Sequence, residues 1–286
     1  MKLYTMKRLL VCTDFSESSD QALKAAGEMQ KRNGGSIDLL HVSELGLHLD
    51  DVLSDGLKST YRDVFLSDFK QSIDIKITAQ IARCGCKANV IYREGQVDDV
   101  ILDLANQGNH DLLIMGHGRK PFLKQLLGSN AAKVISHTPL AALVVKTPIK
   151  FGKIAGLVDE SRQMDRVVLG TLDFYRNFQC QEAEFISLWM DFPEPFGNEG
   201  GGAKVAARLK DEVELYANPN DNTSVRTEPT KELKLAYPIE KILKQDKVDV
   251  VVLKKFSEGN LKRVYIGSTT KRLLEIFEGN LLILPP

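Results

Sequence analysis

Short apolar runs and amphipathic stretches alternate along the chain. Lys7–Asp14 is an apolar run ending in polar residues and predicts a strand. Residues 20–29 place Ala22, Leu23, Ala26 and Met29 on one helical face, with Ser16, Ser18 or Ser19 available as caps and Asn33-Gly34-Gly35 as the stop. A second strand is predicted over Ser36–Val42. Residues 43–83 read as polar and mostly helical. A third strand follows over 87–92, with its turn at Glu94-Gly95-Gln96 and an amphipathic helix over 97–105. Asp111-Leu112-Leu113-Ile114-Met115 reads as a strand buried on both faces. It ends abruptly in Gly116-His117-Gly118. After a basic loop, Gly128-Ser129-Asn130 opens a helix running to His137 with Ser129 as its N-cap, and 141–145 supplies a fifth strand.

Strand and helix in alternation predict a doubly wound parallel sheet. Ligands in such sheets sit at the carboxyl ends of the strands. Asp14, Val42 and Gly116 all fall at those ends. Two glycine turns leave the main chain open to close approach, and a helix start offers amides and positive dipole to an anion. The same residues also satisfy a plain strand-to-helix turn, so the phosphate reading and the purely structural one both stand at this point.

The plan then recurs. After a linker at 147–152, Lys153–Ser161 repeats the apolar strand with its Asp and Ser, and Ala183–Trp189 supplies a second strand. Tyr237–Lys244 resembles the helix near Val97, and Asp249–Leu253 repeats Asp111–Met115. Gly267-Ser268-Thr269 repeats Gly128-Ser129-Asn130, and Asn280–Leu284 repeats the last strand. Matching order and spacing mark an internal duplication, with one domain over 1–147 and another over 152–286. Residues 190–222, rich in Pro, Gly and Asn and including Gly200-Gly201-Gly202, read as a flexible insertion rather than a phosphate loop.

Composition narrows the class. Of 286 residues, 38 are Lys or Arg and 38 are Asp or Glu, so the net charge is zero. That argues against a general nucleic-acid or membrane-surface binder. No apolar run reaches the roughly 20 residues that span a bilayer. The N-terminus lacks the pattern of a signal peptide, which leaves the cytoplasm as the expected location. Cys12 and Cys180 read as core thiols. Cys84-Gly85-Cys86 lacks the second pair that a zinc site needs. Asp50, Asp51, Asp55, Asp63 and Asp68 are spaced as a solvated helix face, without the tight Asp-x-Asp-glycine loop of a calcium site. No metal ligand set is expected.

With these residues in view, the chain resembles a tandem universal stress protein of the UspA-like superfamily, over nearly its whole length. Nucleotide-binding members of that family carry Gly-x2-Gly-x9-Gly-Ser/Thr after the fourth strand and an Asp after the first. Here Asp14 lies within Thr13-Asp14-Phe15-Ser16. Gly118, the nine residues Arg119 to Leu127, and Gly128-Ser129 match the second part, while Gly116 stands one residue closer than the family spacing. The resemblance implies two doubly wound parallel five-stranded sheets of the adenine nucleotide α-hydrolase-like type, packed as a pseudo-dimer. Its contact would be an antiparallel pairing of Leu143-Val144-Val145 with Leu282-Ile283-Leu284. It also implies ATP or a related adenine nucleotide, accompanied by Mg²⁺, at Thr13, Asp14, Val42, Met115, Gly116, Gly118, Arg119, Gly128, Ser129 and Asn130. The first-strand Asp and Val42 would face adenine. The glycines, Ser129 and Asn130 would face ribose and phosphates, and Arg119 could pair with phosphate.

The second copy departs from the motif. Lys254-Lys255 stand in place of Gly-His, and only seven residues, Asn260 to Ile266, separate Gly259 from Gly267. No nucleotide is expected there, and a role as structural partner is. No catalytic constellation stands out: there is no Walker lysine and no spaced Ser-His-Asp set. The leading expectation is a stress-response protein that binds adenine nucleotide through its first copy and is not an enzyme, with homodimerisation left open. Two alternatives remain. One is an interaction scaffold without nucleotide. The other is an ATP-dependent enzyme of the α-hydrolase class, against which Thr13-Asp14-Phe15-Ser16 replaces the usual Ser-Gly-Gly loop.

Overall fold

The computed structural model describes residues 4–44, 58–117, 129–159, 164–191, 201–257 and 264–286. The chain divides into two compact units, one of Lys7–Leu140 and one of Met1–Met6 with Ala141–Pro286.

In the first unit, strands β1 (Arg8–Thr13), β2 (Ser36–Ser43), β3 (Asn89–Glu94) and β4 (Leu112–Gly116) are parallel in the order β3-β2-β1-β4. Helix α1 (Glu17–Asn33) is capped by Ser16, whose hydroxyl accepts from the Ser19 amide, and ends at Gly34 with φ 71°. Its predicted inner face is buried: Ala22, Leu23, Ala26 and Met29 are all sealed from solvent. Gly35 must be glycine, because φ is +98° and a Cβ would lie 2.1 Å from the Lys7 carbonyl oxygen. Helices α2 (Lys58–Cys84), α3 (Val97–Asn106) and α4 (Ser129–His137) complete the unit. The edge strand β3 is half-exposed along its length, as an edge should be.

The second unit contains β5 (Ala141–Val145), β6 (Lys153–Leu157), β7 (Glu182–Met190), β8 (Thr223–Thr230), β9 (Val250–Lys254) and β12 (Asn280–Leu284), in the order β5-β12-β9-β6-β7-β8. A short antiparallel pair, β10 (Phe256–Ser257) with β11 (Val264–Tyr265), lies beside them in sequence. The helices are α5 (Met164–Phe178), α6 (Gly201–Tyr216), α7 (Ala236–Gln245) and α8 (Ser268–Ile276). Strand β5, which in sequence closes the first copy, pairs antiparallel with β12 through Val144–Leu281, Leu143–Leu282 and Ala142–Ile283. The repeat in the sequence and the packing of the chain therefore divide at different places.

Register sets residues at corresponding places in the two units level with their neighbours. In the first unit Val11 lies opposite Leu39 and Ile114. In the second, Gly156 lies opposite Phe185 and Val252. Asp111 accepts from the Lys7 and Arg8 amides, at 3.0 Å each, and holds the Arg8 guanidinium at 2.6 Å. Its counterpart Asp249 accepts from the Lys150 and Phe151 amides at 2.7 Å each. Each carboxylate pins the start of one central strand to the start of its neighbour. Burial pushes the Asp249 carboxyl up, above the ordinary value, although these amides oppose the shift.

The flexible insertion expected over 190–222 is corrected over Gly201–Tyr216, which forms α6. Val205, Leu209 and Val213 recur every fourth residue and bury one face of α6. The glycine at 202 answers to packing: a Cβ there would stand 2.5 Å from the Trp189 ring. Residues 192–200 lie outside the described residues. So do Asp50, Asp51 and Asp55, whereas Asp68 is exposed on α2, as a solvated face requires.

Candidate functional site

The first unit reverses its strand order beside β1, with β2 on one side and β4 on the other. Side chains following β1 and β4 therefore border the crevice where such sheets take ligands. Continuing the register places Asp14 level with Val42 and with His117. Asp14 is exposed. Its carboxylate accepts from the Ser16 amide at 3.0 Å and the Ser16 hydroxyl at 2.5 Å. Partial burial pushes this carboxyl up, but the two bonds outweigh it and hold Asp14 below the ordinary carboxylate value. It is a fixed anionic acceptor at the carboxyl end of the central strand.

Thr13 faces the other way. Its hydroxyl is buried, 2.9 Å from Gln80 Oε1 and 3.1 Å from Ser19 Oγ, and it accepts the Phe15 amide at 3.0 Å. Gln80 is fully buried and also donates to Asp20, which Arg83 pairs in turn. The Thr13 hydroxyl thus belongs to a polar network joining β1, α1 and α2.

Gly116 also has a packing reason. A Cβ there would lie 2.1 Å from the Ser18 carbonyl oxygen and 2.8 Å from the Ser19 amide. The glycine admits the first turn of α1, where the sequence had suggested room for a ligand. Met115 and Val42 are half-buried at the strand ends. Helix α4 begins at Ser129. Gly118, Arg119 and Gly128 lie outside the described residues, as do the side chains of Ser129 and Asn130.

The second copy presents the same positions around a cavity of about 380 Å³. By register Asp159 corresponds to Asp14, Leu188 to Val42, Leu253 to Met115 and Lys254 to Gly116. These four residues all line the cavity, with Gly267, Ser268 and Thr269 at the start of α8. Gly267 caps α8 without a side-chain bond.

The universal stress protein family matches residues 5–146. Over 94% of its length the chain is 22% identical to universal stress protein Slr1230 of Synechocystis, covering 96% of that protein. Residues 5–146 are a universal stress protein domain. It is also 28% identical, over 49% of its length, to universal stress protein MJ0577 of Methanocaldococcus jannaschii, 94% of which is covered. The crystal structure of a universal stress protein from Archaeoglobus fulgidus shares the fold across 98% of both chains, with a TM-score of 0.75 at 19% identity.

Two residues of this universal stress domain were not legible as site residues. Phe15, next to Asp14, adopts φ +64° and stacks on His41, with ring centroids 4.5 Å apart. His41 is buried and donates from Nδ1 to the Thr13 carbonyl at 3.0 Å, with Tyr92 6.2 Å beyond it. Lys76 stands over the Phe15 ring at 5.8 Å. An aromatic platform therefore lies at the ends of β1, β2 and β3. The only signal in the sequence was an aromatic beside a motif Asp, and a left-handed Phe is not readable from its type. Among the described residues, no three His, Cys, Asp or Glu side chains converge to hold a metal. Nor is any described helix long and apolar enough to cross a membrane.

The thiols are all reduced. Burial pushes Cys12 up to about 12, so it is a neutral core thiol at physiological pH. Cys180 is buried, while Cys84 and Cys86 are half-buried, and burial raises both of the latter.

Proposed function

We propose that the first copy binds ATP or a related adenine nucleotide and that the protein acts through this binding in the stress response. The universal stress protein domain over residues 5–146 supports the stress-response role. The observation that carries the nucleotide reading is the convergence of the motif positions. Asp14, Val42, Met115 and Gly116 meet where the strand order reverses, and their counterparts in the second copy wall a cavity of ligand size. Asp14 suits the base: as a carboxylate held in its charged form, it accepts from an exocyclic amine. Phe15 and His41 supply stacking surface beside it. Gly118, Gly128, Ser129 and Asn130 would hold the ribose and phosphates, with Arg119 and an accompanying Mg²⁺ offsetting their charge.

On this reading the protein binds rather than catalyses, works in the cytoplasm, and uses its second copy as an intramolecular partner. The β5–β12 pairing supports that last element. Mass spectrometry of the undenatured protein should find no more than one adenine nucleotide per chain. In filter binding, Gly128→Trp should lose at least about 90% of ATP retention, a change of some 1.4 kcal/mol or more. Equal, negligible retention by both proteins would favour the scaffold reading, which the packing role of Gly116 already suits.

A further inference from the structure

The cavity of the second copy differs in chemistry from what the motif describes. Leu157, Ile186, Leu188, Ile239 and Leu253 make most of its wall aliphatic. Lys254, only 6% exposed, enters where the first copy has a glycine. Ser268, Thr269 and Thr270 begin α8 against the same space, and the first hydrogen bond of that helix is made by Lys271 to Gly267. The amides ahead of Lys271 carry no intrahelical acceptor, and the first turn of α8 holds no acidic side chain. One end of the cavity thus carries Lys254, the Asp159 carboxylate and the open amides of α8, and the remainder is aliphatic. Between Lys255 and Gly267 the chain is tied in the β10–β11 hairpin, where the first copy has its glycine-spaced loop.

We infer that this cavity is a binding site for a small anionic amphiphile, an alkyl carboxylate whose head lies between Lys254 and the start of α8 and whose tail covers the leucine and isoleucine wall. About 380 Å³ falls in the range of pockets that enclose a small organic ligand. Aliphatic lining gives a purine few partners for its ring nitrogens. Burial holds the Lys254 ammonium below the ordinary lysine value, helped by Arg166, while Asp159, exposed at the mouth, and Asp165 oppose the shift and favour the charged form. A carboxylate ligand would favour that charge further. This site is independent of nucleotide binding in the first copy.

The test is isothermal titration of the whole chain with decanoate, and with decanol as the uncharged control. Both are used below their aggregation limits, in the Gly128→Trp background so that the first copy is silent. One decanoate per chain should bind, at least tenfold more tightly than decanol. Lys254→Met keeps the bulk and removes the charge. It should weaken decanoate about tenfold while leaving decanol unchanged, with the far-UV spectrum and melting temperature as controls for folding. Leu188→Asp, on a half-exposed strand end, should weaken both ligands. No decanoate binding, equal affinity for decanoate and decanol in the parent, or displacement of decanoate by one equivalent of ATP would each overturn the assignment. The comparison of the two ligands in the parent decides the matter even if a variant fails to fold. Loss of ATP binding by the first copy leaves it untouched.

Discussion

Gly116 and Ser18 meet through a side chain that is not there: a Cβ at 116 would stand 2.1 Å from the Ser18 carbonyl oxygen. The end of β4 and the first turn of α1 can lie this close only over a glycine. The second copy has Lys254 at the matching position. Gly116→Ala must therefore push α1 away, disturbing the Ser16 cap and the Asp14 turn together. Overpacking against backbone should cost about 1–3 kcal/mol. Urea unfolding followed by hydrogen exchange on 17–33 would measure it. An alanine variant with unchanged stability would show that the helix shifts freely.

Asp14 carries a prediction about pH. Its carboxyl is held below the ordinary value by Ser16, although partial burial opposes this. A group whose folded pKa is depressed contributes stability above its unfolded pKa, around 4 for Asp. That contribution is lost as pH falls through the lower, folded value. Asp14 should therefore titrate below a free aspartate in a carboxyl-carbon NMR series. Ser16→Ala should move the midpoint upward, and Asp14→Asn should flatten this part of the acid unfolding curve. A midpoint unmoved by Ser16→Ala would assign the shift to some other donor.

Phe15 holds φ +64°, a region that costs a non-glycine residue about 1–2 kcal/mol. Its stacking on His41 offsets part of this. Phe15→Ala should lose the stack and keep the strain, whereas Phe15→Gly loses the stack and relieves the strain. Chemical denaturation should accordingly find the glycine variant more stable than the alanine variant by about 1 kcal/mol. The reverse order would mean that the turn does not persist in solution.

What could be read from the sequence, and what could not, follows from range. The buried face of α1 was legible, because Ala22, Leu23, Ala26 and Met29 repeat at helical spacing and answer only to local geometry. The repeated pattern of Asp, strand and glycine turn is local in the same way. Helix α6 was obscured by flanking Gly and Pro, though Val205, Leu209 and Val213 carried the period. The inward turn of Thr13 depends on Gln80, 67 positions away, and the need for Gly116 depends on Ser18, 98 positions away (116 − 18). No local pattern could report either. Asp14, Val42, Met115 and Gly116 do lie at strand ends, but what surrounds them is set by long-range contacts.

Lys146 makes the last case. It follows β5, is 8% exposed, and donates from Nζ to the carbonyls of Leu274 at 2.5 Å and Phe277 at 2.7 Å. These belong to the end of α8, whose last carbonyls have no intrahelical donor. Its amide, with that of Thr147, also donates to the buried Asn280 side chain at the start of β12. The ammonium thus closes a helix end and fastens it beside the β5–β12 pair. Lys146→Met preserves the stem and leaves those carbonyls without a donor. It should cost about 1–3 kcal/mol. Because the loss is local, amide exchange should quicken in 141–145 and 280–284 while 8–13 and 36–43 keep their protection. Uniform acceleration across both sets would instead show that the two units unfold as one.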